Sequence, residues 1–127
     1  MINKSLAVVL ISCLALVLGS CVNSKSTIKI DPFAGDWQGS GVDSQGNEFN
    51  FAAKVILLGE NKYQMLVLDK IDSQKKPMHI MEGVLKDNKF IYTADNGTYV
   101  GQCEIGDGVV TGYYKGPVDG NFEMKRL

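Results

Sequence analysis

The strongest constraint on the fold is an alternation of apolar and polar residues that begins at Phe33 and continues to Leu127. A period of two is typical of β-strands with one buried face. Clusters of Gly, Asn, Asp and Pro interrupt the alternation about every ten residues, which is the turn spacing of all-β sandwiches and barrels. No segment after residue 20 shows the spacing of an amphipathic helix. The pattern therefore predicts an all-β domain.

The turn clusters divide this region into eight predicted strands. They are 36–42, 48–58, 62–71, 78–86, 89–94, 98–105, 109–115 and 121–127. Short links between consecutive strands favour antiparallel hairpins, and about eight strands are enough for such a meander to close on itself. We therefore predict an eight-stranded antiparallel up-and-down barrel, with a two-sheet β-sandwich as the alternative.

The predicted interior combines large side chains with empty positions. Seven large residues of inward parity are candidates to line a ligand cavity: Phe49, Phe51, Tyr63, Met65, Phe90, Tyr92 and Tyr99. Strand glycines share this parity: Gly39, Gly41, Gly101 and Gly112. They have two explanations, namely relief of crowding in a coiled strand or an open cavity for an apolar or aromatic ligand.

The second predicted strand also places Leu57 inward. The second and third predicted strands both carry apolar residues on the outward face, namely Ile56, Leu58, Leu66 and Leu68. An exposed apolar patch of this kind is typical of a protein-binding surface. It supports an alternative in which the barrel is filled and the outer face docks another envelope protein.

Residues 1–20 have the composition of a targeting segment. Lys4 supplies a positive charge near the N-terminus, and the run from Leu6 to Leu18 is almost entirely apolar. As a helix this run would span about 20 Å, which is short of the roughly 30 Å hydrocarbon core of a bilayer. The run therefore predicts a signal peptide and not a transmembrane helix.

The segment that follows is Leu18-Gly19-Ser20-Cys21. It resembles the lipobox of bacterial lipoproteins, in which an aliphatic residue and two small residues precede a cysteine. The resemblance implies that a lipoprotein signal peptidase cuts between Ser20 and Cys21. It also implies that Cys21 is acylated, with palmitate among its chains, and that two or three acyl chains anchor the protein to a membrane.

The lipoprotein resemblance implies a domain organisation and a location. It predicts a signal peptide at 1–20, a lipidated tether at 21–32 and one barrel domain at 33–127. Val22 is not the aspartate that retains enterobacterial lipoproteins in the inner membrane, and no acidic cluster follows it. We therefore expect an outer-membrane anchor with the domain facing the periplasm. The expected partners are the membrane and the lipoprotein-processing enzymes.

The cysteine count agrees with this interpretation. Cys13 would leave with the signal peptide and Cys21 would carry lipid, so that Cys103 remains alone. A Cys21–Cys103 disulfide is an alternative only if lipidation fails. An unpaired thiol in an oxidising compartment is normally buried, and we expect Cys103 to be a small core residue.

Gly35-Asp36-Trp37 opens the first predicted strand, and Arg126 closes the last strand on the inward parity. This combination resembles the calycin pattern of lipocalins, fatty-acid-binding proteins and avidin-like barrels. The resemblance implies that the Arg126 guanidinium lies on the Trp37 indole and donates to backbone carbonyls at a closed barrel floor. Both residues would then be structural.

Five segments between residue 33 and the last residue carry a second resemblance: 33–39, 54–59, 81–85, 111–116 and 120–127. They are similar to a small secreted bacterial β-domain often found beside 3-keto-disaccharide-hydrolase-type domains. This resemblance implies an accessory role in carbohydrate processing, and it brings no catalytic residues with it.

Composition and spacing exclude several functions. A formal net charge of −1 offers no basic excess to neutralise phosphates, so a nucleic-acid partner is not expected. His79 is the single histidine, and its nearest acid, Glu82, has the opposite strand parity. We therefore predict a surface or loop-flanking histidine, no metal site and no cofactor.

An enzymatic function has little support in the sequence. Glycoside hydrolysis needs two facing carboxylates, and Asp69 on the inward parity has no evident partner. Lys70, Lys75 and Lys76 lie in and beside the polar loop 72–77, which predicts a solvated loop at the barrel mouth. We therefore predict a non-enzymatic envelope lipoprotein that binds an apolar or aromatic ligand or a glycan. The alternatives are the filled, protein-docking barrel and the carbohydrate-processing accessory domain, with a glycan-directed hydrolase least favoured.

Overall fold

Eight antiparallel strands close into a barrel in chain order, with β1 hydrogen-bonded to β8. The structure is a computed structural model in which residues 30–127 are described. The predicted signal peptide, the lipobox with Ser20 and Cys21, and the tether up to residue 29 lie outside the described residues. The strands are β1 Gly35–Asp43, β2 Glu48–Gly59, β3 Lys62–Leu68, β4 His79–Lys86, β5 Lys89–Ala94, β6 Tyr99–Ile105, β7 Val109–Lys115 and β8 Gly120–Arg126. The predicted up-and-down barrel is confirmed, and the sandwich alternative is wrong.

Two of the hairpin turns are built from consecutive Asp and Asn residues. Asp87 and Asn88, with φ of 52° and 62°, join β4 to β5. Asp95 and Asn96, with φ of 53° and 57°, follow β5. A type I′ turn needs positive φ at both central residues, and Asn and Asp tolerate this conformation best after Gly. Within residues 30–127, no helix is long and apolar enough to cross a membrane.

The third strand is shorter than the alternation predicts. β3 ends at Leu68 because its partner β4 begins at His79, opposite Val67. Asp69 then accepts the backbone N–H of Lys70 at 2.9 Å as the chain leaves the strand. Asp69 is therefore an exposed loop residue, and its predicted position on an inward strand face is wrong.

Two apolar side chains also differ from the prediction. Leu57 is 50% exposed and is not a core residue: it pairs with the buried Tyr63, but β1 pairs with β2 only as far as Val55 and does not extend beside it. Leu68 is only 6% exposed and pairs with the buried Ala52, so it does not belong to an outer apolar patch. The remaining members of that patch reach the surface fully or in part: Ile56, Leu58 and Leu66.

One end of the barrel is filled. At this closed end, where β1 begins and β8 ends, the segment before β1 inserts Phe33, which is fully buried. The Phe33 ring lies 4.9 Å from the Phe90 ring and 5.1 Å from the Tyr63 ring, measured between centroids. Tyr92 stacks on Phe90 at 5.6 Å. These rings occupy the interior of the closed half, and we call the opposite end of the barrel the mouth.

Arg126 covers the closed end from the last strand. Its guanidinium carbon lies 4.5 Å from the centroid of the Trp37 ring, and Nη1 donates to the Ala34 carbonyl at 2.8 Å. Nη2 donates to the Asp31 and Pro32 carbonyls at 3.1 and 2.8 Å. The Arg126 guanidinium thus lies on the Trp37 indole and donates to three backbone carbonyls at the barrel floor.

Gly35 allows Arg126 to approach the backbone. A Cβ at Gly35 would stand 2.6 Å from Nη1 of Arg126, and its φ of +134° is a conformation that residues with a side chain rarely adopt. The glycine of the Gly-x-Trp triplet therefore has a steric reason that the sequence alone does not reveal.

Asp31 fixes the inserted segment from its N-terminal side. Its carboxylate accepts the backbone N–H groups of Phe33 and Ala34, both at 2.8 Å, and the Tyr63 hydroxyl at 2.9 Å. Burial alone would raise the pKa of Asp31, but these three hydrogen bonds and the charge of Arg126 lower it below its usual value. Burial and the same carboxylate raise the pKa of Tyr63 to about 12.

Candidate ligand-binding cavity

A cavity of about 380 Å³ opens at the mouth of the barrel. Residues of the strands and of two connections at this end, β3–β4 and β7–β8, surround it. Its lining consists of Asp43, Phe49, Asn50, Phe51, Met65, Val67, Met78, His79, Met81, Ala94, Tyr99, Tyr114, Val118 and Phe122. Because most of these side chains are aromatic or aliphatic, the cavity suits an apolar molecule.

The cavity divides the predicted lining residues into two groups. Four of the seven border it: Phe49, Phe51, Met65 and Tyr99. The other three belong to the filled part of the core: Tyr63, Phe90 and Tyr92. Strand parity places a side chain inside a barrel, but it does not give the height of that side chain along the barrel axis. The sequence therefore predicted the inward face and not the division into filled and open halves.

Sequence reasoning missed three prominent lining residues. Tyr114 of β7 and Phe122 of β8 have inward parity and lie near the mouth end of their strands. His79 is the first residue of β4 and starts that strand at the mouth. The signal that could have identified all three is the distance of each residue from the turn at that end of its strand.

Aromatic rings form a continuous wall around the cavity. Phe51 lies 6.0 Å from both Phe49 and Phe122, measured between ring centroids. Tyr114 lies 6.3 Å from Phe49 and 5.9 Å from Tyr99. Tilted and edge-on pairs at these distances are favourable, so the wall holds its shape without a ligand.

Strand glycines give these rings their positions. A Cβ at Gly39 would collide with the Phe51 ring, and a Cβ at Gly41 would collide with the Phe49 ring. Each ring therefore occupies the space over the glycine that pairs with it across β1 and β2. Of the two explanations for these glycines, relief of crowding applies, because the rings fill the space over them. The cavity lies beside the rings and not over the glycines.

His79 and Asp95 form the main polar group at the mouth. Nδ1 of His79 lies 2.6 Å from Oδ2 of Asp95, and Oδ1 of Asp95 accepts the backbone N–H of Ile80 at 3.1 Å. Burial alone would raise the pKa of Asp95, but the hydrogen bonds from His79 and Ile80 lower it. Glu82, the nearest acid in sequence, instead accepts the side-chain amide of Gln64.

Other charged groups near the mouth belong to loop structure. The Asp43 carboxylate accepts the backbone N–H groups of Gln45 and Asn47, both at 2.9 Å, and so holds the β1–β2 turn. Lys75 approaches Asp69 at 3.7 Å on a largely exposed loop, where an ion pair adds little stability. The predicted solvated lysine loop therefore lies at this end of the barrel.

Neither a metal site nor a reactive thiol is present in the described part of the chain. Residues 30–127 contain no group of three or more His, Cys, Asp or Glu side chains that could hold a metal ion. Cys103 is a buried free cysteine, as predicted. Burial raises the pKa of its thiol to about 12, so it is protonated at neutral pH and is a poor nucleophile.

Comparison with known proteins identifies the fold and no family. No protein-family profile matches the chain, and no curated protein matches it. Among solved structures it is similar to a redesigned β-barrel, with 13% identity and a TM-score of 0.58 over 76% of this chain and 92% of that chain. It is also similar to a de novo designed fluorescence-activating β-barrel, with 14% identity and a TM-score of 0.56 over 75% of this chain and 94% of that chain. At such identities the likeness concerns the barrel fold alone.

Proposed function

We propose that this protein is a lipid-anchored bacterial envelope protein that binds a small apolar or aromatic ligand and does not convert it chemically. The observation that carries the proposal is the cavity of about 380 Å³ at the mouth. Ligand pockets typically measure about 300–1,000 Å³ and combine an apolar lining with a few polar groups. The cavity meets both criteria, and Phe33 and Trp37 close the barrel beneath it.

The cavity also bears on two alternatives, a filled barrel that docks another protein and a barrel that binds a glycan. An open half with an aromatic wall counts against a filled barrel that serves only as a docking surface. A glycan carries many hydroxyl groups, each of which needs a partner when it is buried. The lining offers few such partners, which favours an aromatic ligand over a glycan.

The membrane anchor in this proposal is acylated Cys21, and the proposed location is the outer membrane facing the periplasm. Its support is the lipobox resemblance and the identity of Val22. Metabolic labelling with radioactive palmitate tests the anchor: we expect the wild type to be labelled and Cys21→Ser to be unlabelled. Cys103→Ser is the matched control and should keep the label. A labelled Cys21→Ser protein would contradict the anchor.

Binding of an uncharged aromatic probe tests the cavity. 2-Naphthol is small enough for the space, and we expect equilibrium dialysis against the full-length protein to give a Kd between about 10 µM and 1 mM. Val118→Trp and Ala94→Phe each add bulk to the lining. We expect both variants to weaken binding at least about tenfold by occupying the volume that the probe needs.

Val100→Trp is the matched control for this experiment. Val100 lies on β6 with an exposed side chain and does not line the cavity. The same substitution there should leave the Kd within about twofold of the wild type. Equal binding by Val118→Trp, Ala94→Phe and Val100→Trp would show that the probe binds elsewhere and would overturn the proposed function.

A further inference from the structure

His79 is a polar residue of the cavity lining with one ring nitrogen already engaged. It borders the cavity at the start of β4, and its ring packs edge-on against Tyr99 at 5.8 Å between centroids. Its Nδ1 is engaged by Asp95 at 2.6 Å, and Asp95 is not part of the lining. The other ring nitrogen, Nε2, is on the opposite side of the imidazole from Nδ1. No protein partner for it occurs within residues 30–127.

Asp95 determines the tautomer of this histidine. Its carboxylate is held at two points, since Oδ1 accepts the Ile80 N–H and Oδ2 faces His79. The lowered pKa of Asp95 keeps the carboxylate ionised at neutral pH, so the proton in the short contact resides on Nδ1. Neutral His79 then has an unprotonated Nε2, which can only accept a hydrogen bond.

We infer that His79 determines ligand specificity by accepting a hydrogen bond at Nε2 from a hydroxyl group on the aromatic ligand. The ligand class is thus a phenol-type compound with its ring in the apolar cavity and its hydroxyl at the mouth. An anionic head group is disfavoured because Asp43 lines the cavity and Asp95 contacts His79, whereas no lysine belongs to the lining. This inference rests on the proposed function and specifies which ligands the cavity selects.

Two probes that differ in one group test the inference. 2-Naphthol can donate a hydrogen bond, whereas 2-methoxynaphthalene can only accept one. At pH 8 the full-length wild type should bind 2-naphthol about three- to tenfold more tightly than the ether. The ratio of the two Kd values is the measurement, and differences in probe size cancel when the ratio is compared between variants.

Asp95→Asn should invert the hydrogen-bonding character of His79. The Ile80 N–H fixes the amide oxygen at the Oδ1 position, so the amide nitrogen faces Nδ1 and donates to it. The proton of His79 then moves to Nε2, which becomes a donor. We expect the preference for 2-naphthol over the ether to fall to about one or to reverse. Asn also suits the φ of 53° at this position, so the turn is retained.

His79→Phe supplies a second variant that keeps an aromatic ring beside Tyr99. It should bind the two probes with similar Kd values, because no acceptor remains. Asp107→Asn, in an exposed turn at the closed end, makes the same charge change as Asp95→Asn and should keep the wild-type ratio.

The outcomes distinguish a failure of the inference about His79 from a failure of the proposed function. If both probes bind and the Kd ratio is the same in the wild type, Asp95→Asn and His79→Phe, the inference about His79 is overturned while the cavity stands. If neither probe binds the wild type, the proposed function fails and the inference fails with it. A ratio that changes in Asp95→Asn and His79→Phe but not in Asp107→Asn supports the inference.

Discussion

Arg126 joins the last strand to the segment that precedes the first. Its three hydrogen bonds reach carbonyls of residues more than 90 positions earlier in the chain, and its guanidinium lies over Trp37. A planar guanidinium can donate to several carbonyls while stacking on an indole, and an ammonium cannot reproduce that geometry. The closed end therefore depends on arginine and not simply on a positive charge.

Arg126→Lys tests this dependence. We expect it to lower the free energy of unfolding by about 2 kcal/mol through loss of hydrogen bonds and of the cation–π contact. Lys125→Ala, on the neighbouring exposed position, should change it by less than about 0.5 kcal/mol. Urea denaturation measures both, and an Arg126→Lys protein as stable as Lys125→Ala would rule out the proposed role of the guanidinium.

Asp31 predicts a pH dependence of stability. Because its pKa is lowered in the folded protein, its ionised form contributes stability that is present above about pH 3.9 and is lost as the pH falls through the folded-state pKa. Asp31→Asn should therefore lose less free energy of unfolding between pH 5 and about pH 2.5 than the wild type. Asp107→Asn should behave like the wild type. An equal loss in all three proteins would show that Asp31 does not couple to folding.

At the residue scale, the sequence predicted the contact between Trp37 and Arg126 at the closed end but not the contact between His79 and Asp95 at the mouth. Trp37 and Arg126 were found through a short pattern at the two ends of the barrel sequence. His79 and Asp95 are 16 positions apart, and only the position of both at the mouth end of the β4–β5 hairpin brings them together. The acid nearest to His79 in sequence is Glu82, which instead accepts a hydrogen bond from Gln64.

At the scale of strands, glycines leave room for the aromatic residues that pair with them on the neighbouring strand. Gly101 pairs with Tyr92 on β5, and the Tyr92 hydroxyl crosses it to donate to the Tyr113 carbonyl at 2.8 Å. A Cβ at Gly101 would collide with that carbonyl and stand 2.5 Å from the hydroxyl. The glycine thus leaves room for a partly buried hydrogen bond from β5 to β7.

Gly101→Ala should therefore be destabilising. We expect it to reduce the free energy of unfolding by about 1–3 kcal/mol, because the backbone carbonyl cannot move aside cheaply. Gly59→Ala is the matched control, since nothing lies within 4 Å of its Cβ position. It should stay within about 0.5 kcal/mol of the wild type. Similar stabilities of the two variants in chemical denaturation would contradict this explanation of the strand glycine.

Strand positions were largely predictable from the sequence, and strand ends were not. Alternation and turn residues located every strand, because both are local properties. The end of β3 at Leu68 depends on where β4 begins to pair, and the exposure of Leu57 depends on where β1 begins to pair with β2. These features arise from contacts between strands, which a single-strand pattern does not contain.

At the scale of the whole molecule, the barrel is half core and half cavity. Phe33, from outside the strands, fills the closed half, and the aromatic wall surrounds the open half. The alternation predicted the closed barrel because each strand shows one buried face. It could not predict the division, because that depends on which end receives a segment from outside the sheet.

Methionine methyl NMR tests the central claim most directly, because the methionines sample both halves. Three of them line the cavity, Met65, Met78 and Met81, whereas Met124 is fully buried and does not line it. In full-length protein labelled with ¹³C at the methionine methyl groups, titration with 2-naphthol should shift the three cavity resonances along one saturation curve and leave Met124 in place. Unchanged cavity resonances, or a shift of Met124 as large as theirs, would contradict binding at the mouth.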